Sequence, residues 1–97
     1  MVTFGELIYG NKLVLIHFYT QFNQPQNLLK ILRDVAAVLR DKVKVVKIDI
    51  EKNELLAEAL SINNKPTFII YKNGEIKWRN EGSQDAATLI EAIKNYY

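Results

Sequence analysis

The side chains with potential for chemistry lie close together, in the segment His17-Phe18-Tyr19-Thr20-Gln21-Phe22-Asn23-Gln24-Pro25-Gln26. His17 is the one histidine of the 97 residues, and the chain contains no cysteine. Thiol–disulfide exchange needs a cysteine thiolate, so the chain lacks the nucleophile for that reaction. Other nucleophilic catalysis or metal binding through His17 would need partner side chains, and there is no second histidine. The sequence therefore predicts no catalytic residue, no metal and no cofactor.

Alternating helices and strands are predicted to position this segment. The helices are expected from about Phe4 to Gly10 after a Thr3/Glu6 capping box, from about Pro25 to Arg40, after Asn53, and after a Ser83 cap. The strands are expected at Leu13–Tyr19, Val43–Asp49, Thr67–Lys72 and Glu75–Asn80, the last two joined by an Asn73-Gly74 hairpin turn. Strands separated by helices are expected to pair in parallel, and the hairpin adds an antiparallel edge. The order predicts an α/β fold with a mixed four-stranded sheet and helices on both faces.

Length and composition limit the function classes. A chain of 97 residues with 48% hydrophobic and 25% charged residues is expected to form one domain, residues 1–97. A net charge of +2 is too small to indicate a nucleic-acid or membrane surface. The longest apolar run, Leu13 to Ile16, is too short to span a bilayer, and no secretory leader is recognised. We expect a cytoplasmic protein that is a monomer or a weak dimer.

The segment from His17 to Gln26 closely resembles the active-site loop of thioredoxin, where Trp-Cys-Gly-Pro-Cys opens a helix after a strand. Four further segments resemble the same family in the right order: Val43–Glu51 (third strand and acidic turn), Asn64-Lys65-Pro66-Thr67 (cis-proline loop), Tyr71–Glu75 (hairpin) and Glu81-Gly82-Ser83 (glycine before the last helix). The resemblance covers nearly the whole chain and implies the thioredoxin fold.

Three departures from the family pattern concern structure. The additional N-terminal strand of the family has no counterpart here, and no kinking proline lies between Gln26 and Arg40. The family's buried acid corresponds to His17, near Lys47. We expect His17 to be a neutral, hydrogen-bonded core residue with a lowered pKa, because burial and a nearby cation both disfavour an imidazolium. Alternatively, Lys47 extends to solvent and removes the conflict of charges.

By the resemblance, Asn23 and Gln26 stand at the positions of the two cysteines, and Phe22 at that of the tryptophan. Asn23 either caps the following helix or presents its amide to a ligand, and Gln24 is either solvent-exposed or ligand-facing. Gln26 is expected to point inward, where its amide needs partners. Pro25 suits the first turn of a helix because its missing N–H would be unpaired there anyway.

The resemblance also implies a shallow groove in which an extended peptide pairs with the backbone before the cis-proline. Such binding needs no cysteine. We therefore expect a protein or peptide partner, bound through Phe22, Asn23, Gln24, Lys65, Pro66 and Gly82. The structural alternative is that the proline and the glycine serve only the folding of their turns.

Two other functions remain open on the sequence. The chain could be a protein-disulfide oxidoreductase whose two active-site cysteines have been replaced, which would be inert as it stands. A glutathione-binding or peroxide enzyme would lack a nucleophile. On the hairpin, Trp78 either covers the last helix or forms an exposed contact face.

Overall fold

The computed structural model describes residues 3–10, 12–20, 28–62, 67–82 and 84–96. Its elements are α1 (Phe4–Ile8), β1 (Leu13–Tyr19), α2 (Leu28–Leu39), a 3₁₀ turn (Arg40–Lys42), β2 (Val43–Asp49), α3 (Glu54–Ala59), β3 (Thr67–Lys72), β4 (Glu75–Glu81) and α4 (Ala86–Lys94). Every predicted helix and strand is present. Helix α1 ends two residues earlier than expected, and β4 is one residue longer.

The four strands form one mixed sheet in the order β2-β1-β3-β4. β1 and β2 pair in parallel, as predicted, but β3 runs antiparallel to β1, so the rule of parallel pairing across a helix is wrong for β3. The reason lies in the length of α3. Its six residues span about 9 Å, whereas the seven residues of β2 span about 23 Å. Helix α3 is too short to return the chain along the sheet, and β3 begins at the edge where β2 ended.

The central strand β1 is buried on both faces, as its sequence rich in apolar and aromatic residues predicts. Leu13 and Leu15 face a cluster that includes residues of α2 and α4. Ile16 and Phe18 belong to the opposite cluster, which includes residues of α1 and α3. Full burial of one such side chain contributes about 1.5–3 kcal/mol, so packing on β1 is a main source of stability.

Helix caps follow the sequence signals in part. Thr3 Oγ1 accepts a hydrogen bond from the backbone N–H of Glu6 at 3.2 Å, as predicted. The predicted Ser83 cap is wrong, because α4 begins at Ala86 and its cap is Asp85, whose carboxylate accepts from the N–H of Thr88 at 2.8 Å. A carboxylate satisfies the free amides of a helix start as a hydroxyl does and adds a favourable charge, which explains the choice.

The turn between β3 and β4 is hydrogen-bonded to the end of α1 and to the segment that follows it. Asn73 and Gly74 have φ values of +55° and +80°, as a two-residue turn with two left-handed positions requires. Their backbone N–H groups donate to the carbonyls of Gly10 at 3.0 Å and Ile8 at 3.1 Å. The turn thereby fixes the end of α1 against the sheet.

Candidate functional site

Three connections of the fold leave the sheet at one edge. In the strand register, Phe18 lies opposite Thr67, which in turn lies opposite Glu81. The end of β1, the beginning of β3 and the end of β4 therefore coincide. We call this the loop edge, defined by Tyr19, Thr67 and Glu81. Residues 21–27 and 63–66 belong to connections that start from it, and Gly82 follows it directly.

Gly82 is the one predicted binding residue among the described residues. Its φ is +97°, a conformation that L-amino acids with a side chain rarely adopt, and an added Cβ would meet no atom within 4 Å. Glycine is therefore required by the backbone conformation and not by lack of space. The remaining predicted residues, and the predicted cis peptide, lie outside the described residues: Phe22, Asn23, Gln24, Gln26, Lys65 and Pro66.

His17 lies in the core on β1, with 0% of its surface exposed. Its ring stacks on Phe68, with ring centroids 4.3 Å apart, and on Tyr19 at 6.0 Å. Burial, and secondarily the charge of Lys47, lowers the pKa of His17 from 6.5 to about 4. The predicted burial and lowered pKa are confirmed.

The predicted hydrogen bond of His17 is wrong. Neither ring nitrogen has a partner among the described residues. The register explains this, because the residues opposite His17 on the two neighbouring strands are Lys47 and Phe68. The Phe68 side chain offers an apolar ring face and no acceptor or donor, so the imidazole stacks on it without a hydrogen bond.

Lys47 extends to solvent, as one of the sequence-based alternatives predicted, but its charge still acts on His17, so the expected removal of the conflict of charges is wrong. Its side chain is exposed, and Nζ lies 5.1 Å from the centre of the Tyr19 ring. A cation over an aromatic face is attracted by the ring quadrupole. The ammonium group is thus stabilised by Tyr19 while its charge still disfavours protonation of His17.

Comparison with known proteins gives the family. A family model described as Thioredoxin matches residues 2–95. This chain belongs to the thioredoxin family. Chloroplastic thioredoxin Y of Oryza sativa is 42% identical over 95 residues, which are 96% of this chain and 56% of the relative. A thioredoxin-like protein of Synechocystis is 38% identical over 93 residues, covering 94% of this chain and 89% of the relative.

Solved thioredoxins have the same fold. Thioredoxin-2, described as a component of the malaria parasite protein secretion machinery, superposes with a TM-score of 0.78 at 26% identity, covering 88% of this chain and 84% of that one. Chloroplastic thioredoxin z gives a TM-score of 0.77 at 29% identity, covering 88% and 78%. The chain spans about half the length of the plant relatives that it matches, 56%, 52% and 57% of three of them.

In this thioredoxin domain an arginine fixes the segment that leads to residues 63–66. The Arg79 guanidinium donates to the carbonyl of Leu60 and to that of Ser61, the latter at 3.1 Å. Ser61 has a φ of +56°, and the backbone N–H of Ile62 donates to the carbonyl of Ala57 at 2.8 Å. Helix α3 therefore ends in a left-handed C-terminal turn. Sequence reasoning missed this role, since Arg79 and its acceptors lie 18–19 positions apart.

Polar groups at the loop edge of the thioredoxin domain are also buried. Asp49 accepts from the N–H of Glu51 at 2.9 Å, and its carbonyl accepts from Asn53 Nδ2 at 2.9 Å. Asn53 therefore occupies the cap position of α3 but bonds back to β2 instead. The Thr20 hydroxyl is buried without a partner among the described residues. Asp49 and Asn53, four positions apart, are residue types that hydrogen-bond to the backbone of turns, and this local signal was missed in the sequence.

The hairpin aromatic has a structural place. Trp78 is half-buried and packs on the buried cluster to which α4 contributes Leu89 and Ile93, which agrees with a covering role over this side of the core. In the described part of the chain, no group of three or more His, Cys, Asp or Glu side chains is placed to hold a metal ion. No helix among the described residues is long and apolar enough to cross a membrane.

Proposed function

We propose that this thioredoxin-family chain is redox-inactive and binds an extended segment of a partner protein at the loop edge. The groove consists of Phe22, Asn23, Gln24, Lys65, Pro66 and Gly82. The supporting observation is the strand register, which brings the ends of β1 and β4 and the beginning of β3 to one edge. Gly82, which follows this edge directly, has a φ of +97°, and this supports its assignment to the proposed groove.

The redox-inactive part rests on the absence of cysteine from the sequence. The chain should reduce no disulfide, with insulin as substrate and dithiothreitol as donor, above the uncatalysed rate. The second candidate function is that of an oxidoreductase whose cysteines were replaced, and it is favoured by the thioredoxin relatives. It is tested by the Asn23→Cys/Gln26→Cys variant.

We expect that double variant to show only weak activity. In the family an acid at the position of His17 accepts the proton of the second cysteine. An imidazole with a pKa of about 4 is a poor proton acceptor at neutral pH. Turnover like that of a cysteine-containing thioredoxin would contradict this reasoning and favour the second candidate.

Partner binding is expected to be modest, with a dissociation constant of about micromolar to millimolar, because the groove is small and no covalent bond traps the partner. The test is an amide-shift map of the ¹⁵N-labelled chain with a partner fragment recovered by co-purification from the native cell. Amides of Phe22, Asn23, Gln24, Lys65 and Gly82 should shift together. Shifts confined to Trp78 and α4 would refute the groove.

Two glycine variants separate binding from stability. Gly82 and Gly10 both have positive φ, +97° and +125°, and at both an added Cβ meets nothing within 4 Å. Gly10 precedes β1 and therefore lies at the opposite edge of the sheet from Gly82. Gly82→Ala and Gly10→Ala should each destabilise the fold by about 1–3 kcal/mol. Only Gly82→Ala should weaken binding of the partner fragment. If the two variants bound the fragment with equal affinity, the proposal would be contradicted.

A cytoplasmic location and a monomeric or weakly dimeric state belong to the same proposal. The plant relatives are named as chloroplastic proteins, so the location needs a direct test. Fractionation of the native cells with an antibody to the chain gives the location. Light scattering across a concentration series gives the mass, and a stable dimer at micromolar concentration would contradict the proposal.

A further inference from the structure

Within the described part of the chain, the outer side of β2 is an edge of the sheet without a strand beside it. β2 stands first in the strand order, with β1 on one side, and the described residues place no strand on its other side. Its seven residues pair with β1 without a register shift from Val43 to Asp49. A regular strand of this length presents a row of backbone N–H and C=O groups to solvent, which is a template for another strand.

The opposite edge, β4, is protected in ways that β2 is not. The β3–β4 ladder has a register shift between Ile70 and Tyr71, and such irregularities hinder strand addition. The charged side chains of β4 pair with one another, Lys77 with Glu75 at 3.0 Å and Arg79 with Glu81 at 3.5 Å. On β2, Val45, Val46 and Ile48 are only half-buried.

The charge on β2 indicates the occupant. Lys44 and Lys47 are exposed and point to opposite faces of the sheet, since side chains alternate along a strand. Among the described residues, neither lysine has an ion-pair partner. A second copy of β2 adds further lysines, and in the registers centred on either lysine it would bring like charges directly opposite, which destabilises a strand pair. An acidic strand would compensate them.

We propose that the free edge of β2 binds an acidic extended segment of a partner protein as a fifth strand. Backbone hydrogen bonds to β2 provide the affinity, and carboxylates opposite Lys44 and Lys47 provide the selectivity. The segment carries two acidic residues three positions apart, so that one lies on each face of the sheet. This surface is distinct from the loop edge, so the proposal does not depend on the groove.

The probe is the synthetic peptide Thr-Glu-Val-Thr-Glu-Val-Thr, titrated to millimolar concentration into the ¹⁵N-labelled chain at low salt. We expect amide shifts in Val43–Asp49 and slower hydrogen exchange at the amides of β2 that do not bond to β1. The peptide with lysine in place of glutamate should produce no such shifts. A peptide N-methylated at alternate positions should not bind either, because it cannot form the ladder.

Matched variants test the charges. The double variant Lys44→Gln/Lys47→Gln should bind the acidic peptide with about three- to tenfold lower affinity, as expected for loss of two exposed ion pairs. Lys94→Gln, which removes an exposed lysine from α4, should have no effect. The proposal would be overturned if the acidic and basic peptides bound with equal affinity, or if the N-methylated peptide bound as well as the unmodified one. It would also be overturned if no amide of β2 shifted, or if the shifts appeared at Tyr19, Thr67 and Gly82 instead. Doubling of the mass of the free chain with protection of β2 would also overturn it, since the occupant would then be a second copy.

Discussion

His17 should make the stability of this domain depend on pH in a defined window. The imidazole is fully buried, has no hydrogen-bond partner among the described residues, and has a pKa of about 4 in place of 6.5. Between pH 6.5 and pH 4 the unfolded chain therefore binds more protons than the folded one. Stability is fully present above pH 6.5, falls as pH is lowered, and stops falling on account of this group below pH 4.

The magnitude follows from the two pKa values. A difference of about 2.5 between them corresponds to roughly 3 kcal/mol in total, of which about 2 kcal/mol is lost by pH 5. Small domains have a total stability of about 5–15 kcal/mol, so this loss is readily measured. The variant His17→Leu should lack it. At pH 7.5 that variant should be at least as stable as the parent chain, because it removes two buried polar atoms without partners.

The assay is urea unfolding of the parent chain and the His17→Leu variant at pH 7.5, 6.5, 5.5 and 5.0. Comparing the two proteins at each pH removes the contribution of carboxylates, which both proteins share. In parallel, the imidazole ring resonances should stay at their neutral positions in the folded protein down to about pH 5. An imidazole that titrates near 6.5, or equal loss of stability in both proteins, would refute the burial and stacking of His17.

Three further predictions concern single contacts. Gly74→Ala should lower stability by about 1–3 kcal/mol in thermal unfolding, because φ is +80° and the new Cβ would lie 3.0 Å from Tyr9 Cδ2; an unchanged melting temperature would contradict the turn geometry. Arg79→Gln should cost about 1–3 kcal/mol through loss of two bonds to the carbonyls at the end of α3, and Arg33→Gln, an exposed control, should not. Asp85→Ala should lower the melting temperature while Asp85→Asn keeps the cap of α4, so equal effects of the two changes would show that the cap is unimportant.

The strands were predictable because their signals are local. β1 is rich in apolar and aromatic residues, and β3 and β4 are joined by Asn73-Gly74, so their bounds follow from neighbouring residues. The direction of β3 could not be predicted from local sequence signals. It depends on the length of α3 relative to β2, and a rule that assumes a full crossover between strands fails for a helix of six residues.

The candidate site divides in the same way. Gly82 could be named from the sequence because a positive φ selects glycine whatever surrounds it. The hydrogen bond expected for His17 failed because its neighbours come from strands far along the chain, and their register decides that an aromatic ring lies beside it. The bonds of Arg79 to the end of α3 leave no sequence signal for the same reason.

The central position of β1 has a consequence for synthesis of the chain. Both of its partners follow it, and β3 begins about 50 residues after β1 ends. At roughly 5–20 residues per second, about 2.5–10 seconds pass on the ribosome between the end of β1 and the beginning of β3. During that time a seven-residue strand without proline, glycine or a charged side chain is exposed, a composition typical of aggregation-prone segments. The yield of folded protein in a cell should therefore depend on translation speed and on chaperones that bind Leu13–Tyr19, while the finished domain remains well packed.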